Sequence, residues 1–127
     1  MKKLLSILTC LALILTLASC VPGNAANAMK KLEKKGYDVS DSTEVVNLAI
    51  KASNVLADAD HQLALCERAI SASRQNEDKS YDSVSAVWFK SAKDAKAYYE
   101  YLDSPKNYTL KGKVVYSGSE QGIKDFA

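Results

Sequence analysis

Asp58, Asp60 and His61 place two carboxylates and the chain's one imidazole within four consecutive residues. Such a run could hold a divalent cation at the surface, because carboxylate oxygens and an imidazole nitrogen are both metal donors. Zinc sites ordinarily converge four ligands, or three with one open position, and no second cluster accompanies this one. The plainer reading is a polar connection between two elements. A single histidine also excludes paired-histidine metal motifs and relays between imidazoles. Cys66 could act as a nucleophile or redox thiol only with a lowered pKa and a nearby base, and His61 is the one base on offer. Among mostly apolar neighbours it reads instead as a small core residue. Ser117-Gly118-Ser119, set ahead of a helix, could hold an anion with backbone N–H groups. It lacks the Lys-Ser/Thr pair of a phosphate loop, so helix capping is the simpler role. Neither a Gly-x-Ser-x-Gly elbow nor a Ser-x-x-Lys motif occurs. Tyr98 and Tyr101 flank Tyr99 and could stack on a sugar or a partner, or lie at the margin of a core. Trp88 reads as a sheet core residue. These patterns call for no cofactor and favour no enzyme.

The elements that must position these residues begin after an export signal. Lys2 and Lys3 form a positive start, and Leu4 to Leu17 is an apolar run broken only by Ser6, Thr9 and Thr16. As a helix that run spans about 21 Å, short of the roughly 30 Å hydrocarbon core of a bilayer, so a permanent span is disfavoured. Leu17-Ala18-Ser19-Cys20 follows directly. This tetrapeptide resembles the lipobox of bacterial lipoproteins: an apolar residue, two small residues and a cysteine. The resemblance implies that residues 1–19 are a removed signal peptide and that Cys20 carries a diacylglyceryl group. It also implies further acylation, such as palmitate, and a place on the extracytoplasmic face of a membrane. That membrane is the cell membrane in a single-membrane bacterium. With Val21 after the cysteine, rather than a retention Asp, it is the outer membrane where there are two. Two or more acyl chains anchor stably where one does not. With Cys10 discarded and Cys20 blocked, Cys66 is left alone, and no intramolecular disulfide can form.

Over 127 residues the chain carries 17 basic and 15 acidic side chains, with 47% hydrophobic residues. That balance is ordinary for a globular fold and excludes wholesale disorder. Once Lys2 and Lys3 leave with the signal the charges cancel. Without a basic stripe there is no footprint for nucleic acid. Lys30, Lys31, Lys34 and Lys35 are the charge cluster whose position matters. Near a lipidated Cys20 they could form a membrane-proximal basic face drawn to anionic headgroups, or simply a solvated helix surface.

Residues 20–23 form a short lipidated tether, and residues 24–127 suffice for one α+β domain. Asn24 can cap a helix from Ala25 to Lys35 ended by Gly36, with Ala25, Ala28, Met29 and Leu32 inward. Tyr37 to Ser40 reads as extended. Asp41 and Glu44 resemble a capping box for a helix over Thr43 to Ala57, with Val45, Leu48, Ala49, Ala52, Val55 and Leu56 as its core stripe. Leu63 to Arg74 fits either helix or strand. The clear strand from Ser83 to Phe89 needs a partner, which favours a hairpin. Ser91 caps a helix with Ala92, Ala95, Tyr99 and Leu102 inward, stopped at Asp103-Ser104-Pro105. Lys113 to Ser117 is the last strand, and Ser119 opens a closing helix ending at Phe126.

Strand, helix, strand, strand, helix, strand is the split βαβ or ferredoxin-like order, with an extra helix at each end. That fold serves many functions and decides none. The stretches VWFKSAKDAKAYYEYL and GKVVYSGSEQGIKDF resemble small, uncharacterised lipoproteins of Gram-positive bacteria, a resemblance that implies no activity. The expected function is a membrane-anchored, non-catalytic binding or accessory module. Its partner is membrane lipid through diacylglyceryl-Cys20, with an envelope protein or small ligand beyond that. The rival readings are a small hydrolase or metal-dependent enzyme using Asp58, Asp60, His61 and Cys66, and a structural role through a sheet edge.

Overall fold

Asn24 begins the first helix as its residue type dictates: its side-chain oxygen accepts the Asn27 N–H at 2.9 Å and satisfies one of the free donors of the first turn. The structure, a computed structural model, describes residues 21–102 and 105–127. The expected signal peptide, the expected lipidation site Cys20 and the expected stop at residues 103–104 lie outside the described residues. Helix α1 spans Ala25–Lys34. At its end Tyr37 N–H reaches Leu32 O at 3.1 Å and Gly36 N–H reaches Glu33 O at 3.0 Å, with Gly36 at φ +88°. This is the paired closure that a glycine in the left-handed region permits.

Strand β1 (Asp38–Asp41) leads into α2 (Thr43–Leu56). A short 3-10 turn at Ala59–His61 precedes β2 (Arg68–Gln75) and β3 (Tyr81–Trp88), which form the expected hairpin in register from Arg68 opposite Trp88 to Gln75 opposite Tyr81. Helix α3 (Ala92–Tyr101) is capped by Ser91, whose hydroxyl accepts Asp94 N–H at 3.1 Å. After a 3-10 turn at Pro105–Asn107 come β4 (Thr109–Lys111), β5 (Val114–Gly118) and α4 (Glu120–Phe126).

The fold is α+β, with the ferredoxin-like order of elements and an added helix at each end of the described chain. All strand pairs are antiparallel, and the sheet runs β1-β2-β3-β5-β4. Strands β1 and β2, joined through α2, therefore lie side by side, whereas β5 lies between β3 and β4, which are joined through α3. Strand β4 is absent from the sequence reading. It is three residues long and turns into β5 through Gly112 and Lys113, too short to show alternation.

Alternation along the strands splits the core in two. On one face α1 and α4 cover Ile70, Ala72, Val84, Ala86, Trp88 and Tyr116, with Leu32 and Phe126 fully buried among them. Phe126 sits 5.1 Å from the Tyr116 ring and 6.0 Å edge-on from Trp88. On the other face α2 and α3 cover Ala69, Val87, Phe89 and Val115, with Ile50, Cys66 and Ala95 completing the cluster.

Two local expectations need correction. Asp41 and Glu44 form no capping box: Asp41 lies in β1, its carboxylate accepts Thr43 N–H at 2.9 Å, and Ser42 caps α2 without a side-chain bond. The expected core stripe of α2 points outward. Val45, Leu48, Val55 and Leu56 are 71, 70, 82 and 91% exposed, and Ile50 alone on that helix is buried. Polar residues decide this orientation. The Asn47 side chain bonds both Cys66 N–H (2.8 Å) and Cys66 O (3.2 Å), while Asn54 bonds Leu63 N–H (2.7 Å) and Leu63 O (2.8 Å). The stretch from Leu63 to Cys66 has no strand beside it, so these amides stand in for one. Each of these bonds adds about 0.5–1.5 kcal/mol net, and together they tie α2 to this stretch in the observed orientation.

Candidate functional site

The first described residues are packed onto the domain. Val21 lies against the α1–α4 core, and Trp88 donates its indole N–H to Pro22 O at 3.0 Å. With Asn24 capping α1 next in line, residues 21–24 are held along their length. Val21, Pro22 and Gly23 form one wall of a surface hollow of about 410 Å³, and Leu110 to Val114 form the other. This end of the sheet is marked by the Arg68–Trp88 and Trp88–Val114 pairs. From here α1 leads away. Ala25 lines a smaller hollow with Arg68 and Trp88, whereas Lys35 O accepts from Arg74 at 2.8 Å. Arg74 pairs in register with Asp82, six residues along the strand and about 20 Å from the Arg68–Trp88 pair.

The lysine cluster is therefore carried toward the far end, and half of it is engaged there. Lys31 Nζ donates to Ala127 O at 2.6 Å and Phe126 O at 3.2 Å, and Lys35 Nζ lies 3.6 Å from the Asp125 carboxylate. Lys30 and Lys34 are exposed. Around Asp125 the structure assembles a polar network that the sequence reading missed. Tyr37 donates its hydroxyl to Asp125 at 2.6 Å, and Gln121 donates at 3.0 Å. Arg74 bridges Asp82 at 2.9 Å and Asp125 at 3.3 Å while stacking 4.5 Å above the Tyr37 ring. Burial pushes the Asp125 carboxyl up, but the bonds from Tyr37 and Gln121 and the charges of Lys35 and Arg74 outweigh it and hold the group below the usual range. Burial and the same carboxylate raise Tyr37. Gln121 lies one turn before Asp125 on α4, but Tyr37, Lys35, Arg74 and Asp82 come from other parts of the chain, so no local spacing announces the network. It locks α1, the β2–β3 hairpin and α4 together.

The candidate chemical residues stay apart. Asp58 and His61 hydrogen-bond across the exposed 3-10 turn, and His61 holds the Asp58 carboxyl below its usual range. Among the described residues no three of His, Cys, Asp and Glu gather in a way that could hold a metal ion. His61 and Asp60 line a hollow of about 310 Å³ with Leu63, Ala97, Glu100 and Tyr101. Cys66 is buried in the α2–α3 core instead, where burial pushes its thiol up to about 11. At neutral pH it is protonated and the His61 imidazole is not among its hydrogen-bond partners. The structure brings together Asp58 with His61 and leaves Cys66 out.

Ser119 caps α4: its hydroxyl accepts Gly122 N–H at 3.1 Å and Ser83 N–H at 3.0 Å. Both bonds are to the chain's own backbone, as capping requires. Tyr98 is half-buried against Phe89, with ring centroids 5.2 Å apart, and burial raises its hydroxyl. Tyr101 is exposed beside His61. Tyr98, Tyr108 and Val46 also wall a cleft of about 260 Å³ between α2 and α3, floored by Ser71, Ser85 and Ser117. Those serines stand in register on neighbouring strands, and Ser40 continues their row on β1.

Among the described residues no helix is long and apolar enough to cross a membrane. Comparisons with protein-family models, curated proteins and solved structures gave no match.

Proposed function

We propose that the chain is an extracytoplasmic lipoprotein, held at a membrane by acylated Cys20, that acts as a non-catalytic binding or accessory module. The lipobox-like Leu17-Ala18-Ser19-Cys20 motivates the anchor. The observation that carries the binding role is the outward face of α2. Val45, Leu48, Val55 and Leu56 together present an apolar surface on one helix side, a feature that marks interaction sites on soluble domains. The enzyme reading using Asp58, Asp60, His61 and Cys66 has weaker support, because its thiol is buried and protonated away from the Asp58–His61 pair.

Mass spectrometry of the N-terminal fragment of the protein from native membranes tests the anchor. Cys20 should be the first residue and carry the mass of a diacylglyceryl group, and an unmodified Cys20 overturns the reading. A photo-crosslinking side chain at position 48 or 55 should capture one discrete protein partner, and one at exposed Tyr81 should not. Equal labelling at all three positions removes the binding role of α2.

A further inference from the structure

We propose that the β4–β5 hairpin tip, Lys111-Gly112-Lys113, rests on the bilayer beside the lipid anchor and binds its anionic phosphate headgroups. This inference rests on the acylation of Cys20. Consecutive Cα atoms are about 3.8 Å apart, so acyl chains on Cys20 must enter the membrane next to Val21. Val21 is seated on the core and followed by the Trp88-bonded Pro22, which denies the domain a free linker. The wall facing Val21 to Gly23 is the hairpin tip itself.

Its charge suits that surface. Lys113 is exposed and Lys111 half-buried. Lys113 O accepts Phe89 N–H at 2.9 Å, which brings exposed Lys90 alongside. Of the acids on the elements that meet at this end, Asp41 is paired with Arg68 at 3.3 Å, Glu67 lines the neighbouring hollow, and Glu44 and Asp94 sit in the first turns of α2 and α3. None of them is paired with the hairpin tip. Lys111 and Lys113 have no carboxylate partner among the described residues, whereas Lys31 and Lys35 are taken up by α4. Lys111 and Lys113 line the same hollow as Val21 to Gly23, whereas the α1 lysines expected to form a membrane-proximal basic face lead away from it. An ammonium on a flexible stem near an anionic leaflet gains about fivefold in occupancy per lysine at ordinary ionic strength, and the gain is screened by salt.

The test uses the acylated protein from native membranes, its N-terminal mass measured first, then reconstituted into phosphatidylglycerol-containing and pure phosphatidylcholine vesicles. Amide hydrogen exchange over Thr109 to Val114 should be several-fold slower on the anionic vesicles. Lys111→Gln with Lys113→Gln should abolish that difference, and Lys30→Gln with Lys34→Gln should leave it. Equal exchange on both vesicles, or a difference that survives Lys111→Gln with Lys113→Gln, overturns the headgroup site while the anchor stands. An N-terminus without acyl mass overturns the anchor and the headgroup site with it.

Discussion

Gly122 shows how one atom can outweigh a propensity. It sits inside α4, where alanine is ordinarily favoured by about 1 kcal/mol. A Cβ there would lie 2.1 Å from Ser83 O, a backbone atom of β3 that cannot swing aside. Gly122→Ala should therefore lower stability by about 1–3 kcal/mol in chemical denaturation, the reverse of the helix scale. Asp125 supplies a second test at this scale. Its carboxyl titrates below the ordinary range in the folded chain and near 3.9 when unfolded. The unfolded state thus binds the proton more readily, and the stabilisation is complete above the unfolded value and lost as pH falls through the folded one. Asp125→Asn should cost about 1–3 kcal/mol at pH 7, and that deficit should shrink at pH 3. Cys66, buried with its thiol at about 11, should resist alkylation at pH 7.5 in the folded protein and react once denaturant is added.

At the scale of elements, periodicity located α2 and misjudged its orientation. Val45, Leu48, Val55 and Leu56 repeat as a core stripe would, and nothing local distinguishes a stripe that meets the sheet from one that meets something else. The deciding contacts join Asn47 to Cys66 and Asn54 to Leu63 across a loop, between residues whose types look merely polar. Where chemistry is local the reading succeeded: Asn24, Ser91 and Ser119 cap their helices, and the β2–β3 hairpin follows from a strand in need of a neighbour. The Tyr37–Asp125–Arg74 network was illegible because it joins residues far apart in the chain. Two substitutions separate the two orientations of α2. Leu48→Glu should change stability by less than about 0.5 kcal/mol, as exposed sites do. Asn47→Leu should cost about 1–3 kcal/mol by orphaning the Cys66 backbone groups. A large loss from Leu48→Glu would restore the inward stripe.

At the scale of the whole molecule the sheet separates two duties. One face, under α1 and α4, is closed by aromatic packing and the Asp125 network. The other, under α2 and α3, leaves a cleft and an apolar helix side open. Both sheet edges are short strands, β1 of four residues and β4 of three, which limits edge-to-edge aggregation and leaves little room for a partner strand.

Trp88 is the only tryptophan, and its buried indole touches both ends of the described chain: Pro22 O through its N–H and the Phe126 ring through its edge. The protein therefore carries a built-in optical gauge. Native emission should be blue-shifted, and peeling away either residues 21–24 or α4 should let water reach the ring and shift it red before the sheet itself melts. Gly122→Ala, which loosens α4 alone, should produce that spectral change at denaturant concentrations where far-ultraviolet circular dichroism is still native. Coincident transitions by the two probes would mean that α4 and the sheet come apart as one unit.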